Sequence, residues 1–151
     1  ITFCLSKGLT APVGSVVCGN EEFIYHARRI RKALGGGMRQ AGVLAAAGMV
    51  SLDEMTDQLK LDHQNLHTLA EGLTQLPGIE INPQDFKTNI LYFQLVDRRI
   101  SDEEFVRKME QNGVRFFALG RNRFRLVTHS GVHKDNILKT VEIFSTVLES
   151  I

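Results

Sequence analysis

The sequence predicts an α/β chain in two parts: an N-terminal piece that reads as the end of a larger sheet, and a compact α/β unit from about Ile79 to Ile151. Three observations predict it. Short β-branched runs alternate with segments of helical period, two Ser-x-x-Glu patterns stand where helices would begin, and Gly or Pro punctuates the joins. The 151 residues are 43% hydrophobic and 23% charged with a net charge of +1, a globular composition long enough to bury a core. A net charge so small supplies no field to recruit nucleic acid or an anionic membrane.

Residues 1–5 and 13–18 are short and β-branched, and the Ser6 to Pro12 segment between them is rich in breakers. Two buried strands around a loop are expected, with Lys7 at a strand end. From Glu21 the period becomes helical, with Phe23, Ala27, Ile30 and Leu34 on one face and Arg28, Arg29, Arg31 and Lys32 mostly around the other. Gly35-Gly36-Gly37 stops that helix. Met38 to Val50 reads as a second helix, apolar and rich in small residues, that should be buried against another element.

Ser51-Leu52-Asp53-Glu54 has the form of a capping box, so a long helix is expected to start there, run along Met55, Leu59, Leu66, Leu69, Leu73 and Leu76, and stop at Pro77-Gly78. Strands are expected at Ile79–Ile81 and Asn89–Val96. A helix follows, opened by a second box, Ser101-Asp102-Glu103-Glu104, and closed by Gly113. Strands near Val114–Ala118 and Arg123–Thr128 precede a last helix carrying Ile137, Val141, Phe144 and Leu148. The implied organisation is 1–50, a connecting helix over 51–78, and a small C-terminal α/β domain over 79–151.

No uncharged stretch reaches the 18 or so apolar residues of a membrane span. Cys4 and Cys18 lack metal-ligand spacing and make no disulfide framework, which suits a reducing compartment. His63 and His67 share a helix face at i, i+4 without a third ligand, so no metal site is expected. His129 follows Arg125 closely and could support it, or equally be a satisfied structural histidine. The chain opens on Ile1 inside an apolar run, so it is expected to be a fragment that begins within a fold.

Among candidate chemical groups Lys7 comes first. A lysine between two apolar strands and followed by Gly8 could be a desolvated amine available for Schiff-base chemistry. On spacing alone a solvated loop lysine is the more ordinary reading. Arg125 on a strand could grip a carboxylate through a guanidinium fork, or equally be exposed or paired with a structural Asp or Glu.

The wording of particular segments goes further. Phe3-Cys4-Leu5-Ser6-Lys7-Gly8-Leu9-Thr10-Ala11-Pro12-Val13-Gly14-Ser15, then Arg31-Lys32-Ala33-Leu34-Gly35-Gly36-Gly37-Met38-Arg39-Gln40-Ala41-Gly42, Leu44-Ala45-Ala46-Ala47-Gly48 and Arg125-Leu126-Val127-Thr128-His129 closely resemble low-specificity L-threonine aldolases, in order and across essentially the whole chain. That family has the aspartate-aminotransferase-like, fold-type I pyridoxal-phosphate fold. The resemblance implies the C-terminal part of such a fold, with 1–50 ending the cofactor-binding large domain. It implies cleavage of L-threonine or L-allo-threonine to glycine and acetaldehyde, linking threonine catabolism to glycine biosynthesis.

By the same resemblance Lys7 is the Schiff-base lysine of pyridoxal 5'-phosphate and Arg125 binds the substrate carboxylate. Ser6, Lys32 and Arg39 lie near the cofactor or its phosphate, the last two in part across a subunit interface. The triple glycine itself is not a Walker loop. Family members are longer, and the ring-stacking and base histidines and the aspartate that pairs the pyridine nitrogen belong to the part that would precede Ile1. The resemblance further implies a homotetrameric parent acting on a small amino acid, without nucleic-acid or membrane partners, in the cytoplasm or a mitochondrion. Two other readings stand beside it: another fold-type I lyase or aminotransferase, and an inactive fragment or oligomerisation module.

Overall fold

The computed structural model describes residues 1–82, 86–96 and 99–151. The chain divides into two compact units, Ile1–Gln58 and Leu59–Ile151.

The first unit opens with an antiparallel hairpin. Its strands β1 (Thr2–Cys4) and β2 (Ser15–Val17) pair Thr2 with Val17 and Cys4 with Ser15. Both strands are largely exposed, contrary to the burial expected of their β-branched composition. The loop between them supplies the buried residues instead. Leu5, Leu9 and Ala11 are buried, and the loop folds on itself as the Ala11 N–H donates to the Leu5 carbonyl and the Thr10 N–H to the Lys7 carbonyl.

Helix α1 (Glu21–Ala33) starts at Asn20, whose Oδ1 accepts from the Phe23 N–H at 2.9 Å. It ends as expected at the glycines. Gly35 takes φ +87°, its N–H donates to the Lys32 carbonyl and that of Gly36 to the Arg31 carbonyl. This is a Schellman closure, and the left-handed residue it demands is why glycine stands there.

Helix α2 (Gly42–Glu54) corrects two expectations. Ser51 does not cap a helix; it lies within α2 and its hydroxyl donates to the Ala47 carbonyl at 2.9 Å. The single helix expected over 51–78 is therefore two, broken at Met55–Asp57, because the apolar run before Ser51 had already nucleated one. Nor is α2 buried: only Gly48 and Ser51 are, while Val43 is 80% exposed. At Gly48 a Cβ would stand 3.0 Å from Leu5 Cδ1, so the bare backbone is what admits the loop's anchor.

The second unit is built on α3 (Gln58–Thr74), β3 (Ile79–Glu80), β4 (Ile90–Leu95), α4 (Asp102–Gln111), β5 (Phe117–Gly120), β6 (Arg123–Val127) and α5 (Lys134–Glu149). Its four strands form an antiparallel sheet in the order β3-β4-β6-β5. Alternation along β4 and β6 turns Leu91, Phe93, Leu95, Phe124 and Leu126 inward, where they join Leu66, Leu69 and Leu73 of α3, Phe105 and Met109 of α4, and Ile137, Phe144 and Val147 of α5. Phe93, Phe105, Phe116, Phe124 and Phe144 meet at ring-centroid distances of 5.1–6.1 Å. At the second pattern Ser101 does cap a helix, its Oγ accepting from the Glu104 N–H at 3.2 Å.

The β5–β6 connection is a two-residue turn in which Arg121 and Asn122 both take φ +57°. A type I′ turn requires that conformation and matches the right-handed strand twist. Asp102, at the start of α4, fastens it: its Oδ1 accepts from the Asn122 N–H at 3.1 Å. A bulge between Ala118 and Gly120 precedes the turn and leaves Phe117 opposite Arg125.

Candidate functional site

Ser6 and Lys7 occupy the hairpin loop of the first unit, both exposed, between buried residues at Leu5 and Leu9. In this chain Lys7 is exposed, as the more ordinary reading of its spacing had it, and not a desolvated amine. The apolar residues around it turn inward, and a loop pinned by Leu5, Leu9 and Ala11 must then point its polar members outward. What remains is a primary amine on a backbone held by the Thr10-to-Lys7 hydrogen bond at 2.9 Å.

Lys32 and Arg39 bracket the glycine turn in the same unit. The Lys32 side chain lies directly over Gly37, where even a Cβ would collide with its Cδ. Gly37 thus makes room for a cationic side chain folded back along the turn. Arg39 is exposed in the bend that follows. Among the described residues no hydrogen bond or ion pair joins Ser6 or Lys7 to Lys32 or Arg39.

Arg125 lies at the centre of β6, on the sheet face opposite the phenylalanine core. Register places Tyr92 of β4 directly across from it on one side and Phe117 of β5 on the other. Its guanidinium carbon stands over the Phe117 ring, 5.1 Å from the centroid. The side chain is half-buried, and its Nε is buried with no hydrogen-bond partner among the described residues. No carboxylate among them pairs with it, so the reading of Arg125 as half of a structural ion pair does not hold.

A buried N–H without a partner costs free energy of order 1–3 kcal/mol, more for a charged group, so this geometry suits an incoming acceptor. A guanidinium matches a carboxylate best, through two parallel N–H···O bonds. Sequence reading missed Phe117 and Tyr92, because a strand's neighbours are set by pairing register, and the bulge that aligns Phe117 leaves no local signature.

The remaining candidates have structural explanations. His129 Nδ1 accepts from the Gly131 N–H at 3.1 Å, and His67 stands edge-on to Phe86 at 5.6 Å. Among the described residues no three His, Cys, Asp or Glu side chains could hold a metal ion. None of the described helices is long and apolar enough to cross a membrane. Cys4 and Cys18 are free and exposed.

Comparison with known proteins agrees with the resemblance read from the motifs. Low-specificity L-threonine aldolase 1 of Arabidopsis thaliana is 40% identical over 149 residues, covering 98% of this chain and 42% of the relative. The low specificity L-threonine aldolase of Escherichia coli strain K12 is 39% identical over 137 residues, covering 90% of this chain and 39% of the relative. The chain thus spans about two fifths of the length of the curated relatives it matches.

Among solved structures, a pyridoxal-phosphate-dependent aminotransferase from Streptococcus suis superposes with a TM-score of 0.73 at 17% identity, over 99% of this chain and 41% of that one. The likeness shows the fold: the chain has the aspartate-aminotransferase-like architecture that its motifs led one to expect. The sequence model of the beta-eliminating lyases matches residues 1–95, which takes in the hairpin loop, the glycine turn and strand β4, and the chain therefore belongs to the beta-eliminating lyase family.

Proposed function

We propose that the protein to which these residues belong is a pyridoxal-phosphate-dependent threonine aldolase, cleaving the Cα–Cβ bond of L-threonine or L-allo-threonine to glycine and acetaldehyde. The observation that carries this reading is the Arg125 guanidinium, whose buried Nε has no hydrogen-bond partner and which no carboxylate among the described residues neutralises. The curated relatives, named as threonine aldolases, support the substrate class.

Arg125 takes the amino acid's carboxylate through two parallel N–H···O bonds, and by fixing its plane orients the substituents at Cα. Lys7 supplies the amine through which the cofactor is held. An exposed primary amine on a pinned loop, cationic side chains at Lys32 and Arg39 and the Ser6 hydroxyl are donor types that fit an aldehyde-bearing, phosphate-bearing group. When bound, pyridoxal phosphate supplies an electron-withdrawing ring that stabilises negative charge at Cα. The proton-accepting group is not assigned to this chain. The reading carries with it a homo-oligomeric parent, a role in threonine breakdown and glycine supply, and a cytoplasmic or mitochondrial place.

The test is release of glycine and acetaldehyde from L-threonine by the cofactor-loaded protein, with borohydride reduction and peptide mapping to find the modified lysine. Label on the Lys7 peptide and equimolar glycine and acetaldehyde are expected. A keto acid in place of glycine would instead mark a transferase of the same fold. A second reading, an association module without turnover, is favoured by the exposure of apolar residues along α1 and α2, where Phe23, Ile30, Val43 and Met49 face solvent. Glycine release discards it.

A further inference from the structure

We propose that Phe117 is a positioning residue for substrate binding: its ring holds the Arg125 guanidinium on the open face of the sheet, ready to receive a carboxylate. This rests on the reading of Arg125 as the carboxylate-binding group. Phe117 is 64% exposed although large and apolar, and it belongs to none of the core packing that Phe116, one residue earlier, joins. Stability therefore does not account for it.

What Phe117 touches is the arginine. The two are direct cross-strand partners, and side chains opposite one another on one face are the closest pairs a sheet offers. The guanidinium carbon lies 5.1 Å from the ring centroid, within the range at which a cation is attracted to an aromatic face. An arginine in water samples many rotamers, and ordering it on binding costs affinity. One already resting over a ring has lost that freedom beforehand, and a contact to the ring face uses none of its N–H groups as hydrogen-bond donors. The bulge at Ala118–Gly120 serves this arrangement, since it brings Phe117 into register with Arg125 while the turn closes at Arg121-Asn122.

The experiment follows the Arg125 Nε–Hε resonance in the ¹⁵N-labelled chain, assigned by its loss in Arg125→Lys, during titration with glycine, and pairs it with L-threonine kinetics of the cofactor-loaded protein. In the wild type the resonance is expected to move saturably with glycine. Phe117→Leu is expected to weaken glycine binding and raise KM roughly two- to fivefold with kcat nearly unchanged, the size of a surface cation–π contact. Phe117→Tyr, which keeps the ring, is expected to restore both. Because the side chain is exposed, both variants should melt with the wild type. Glycine affinity and KM in Phe117→Leu equal to wild type, with Arg125→Lys impaired, would overturn the role of Phe117 and leave that of Arg125. An Nε–Hε resonance unmoved by glycine, together with unaltered turnover in Arg125→Lys, would overturn both.

Discussion

At the scale of single residues, two buried polar groups of one motif are treated in opposite ways. Thr128 is fully buried, yet its hydroxyl donates to the Asp62 carbonyl at 2.7 Å and its carbonyl accepts from Asn89 Nδ2 at 2.7 Å. Removing that hydroxyl by Thr128→Val leaves a buried carbonyl short of a donor and is expected to cost about 1–2 kcal/mol, measurable by urea unfolding. Arg125 is the opposite case, a buried N–H without a hydrogen-bond partner among the described residues. Arg125→Lys should raise KM strongly and also lower kcat in threonine cleavage, because an ammonium keeps the charge and loses the fork. Unchanged kinetics would remove Arg125 from the site. Both residues were visible in the sequence as part of one motif. The candidacy of Arg125 was legible there, but that Thr128 is a clasp and that the Arg125 Nε is buried without a partner among the described residues was not, since burial and partners are properties of the packed unit.

At the scale of elements, two identical-looking signals had different fates. Ser51-Leu52-Asp53-Glu54 and Ser101-Asp102-Glu103-Glu104 both have the form of a capping box, and only the second caps a helix. A cap satisfies the orphan N–H groups of a first turn, and at Ser51 there are none, because α2 has been running since Gly42. A four-residue pattern cannot report whether a helix has already begun upstream. The asymmetry predicts that Ser101→Ala should cost about 1 kcal/mol of the second unit's stability. Ser51→Ala should cost less in thermal unfolding, since its hydroxyl only back-bonds within an existing turn. The glycine stop, by contrast, was legible because its demand is local. Gly35→Ala, at φ +87°, is expected to destabilise by about 1 kcal/mol, again read by thermal unfolding.

At the scale of the whole molecule, burial is distributed unequally. The second unit holds a contiguous core around five phenylalanines, whereas the first buries Leu5, Leu9 and Ala11 and exposes most of α1 and α2. Local opening free energy follows buried apolar contact, so amide exchange should be slowest in β4, β6 and α5 and fastest in β1, β2 and α1. Slower exchange in α1 than in β4 would contradict this. The α/β class and the order of elements were legible, because period and punctuation are written along the chain. The exposure of α2 was not: its composition promises burial, but period says nothing about which neighbour does the burying.

The β4–β6–β5 sheet has one further consequence, for how such a protein can change over generations. Its inward positions, Phe93, Phe124 and Leu126, are committed to the core, while Tyr92, Phe117, Arg123 and Arg125 alternate with them on the open side. Neighbours in the chain thus answer to different demands, one set to folding and the other to whatever meets the surface. A lineage can therefore redraw what this surface accepts, one alternate position at a time, without jeopardising the scaffold beneath it.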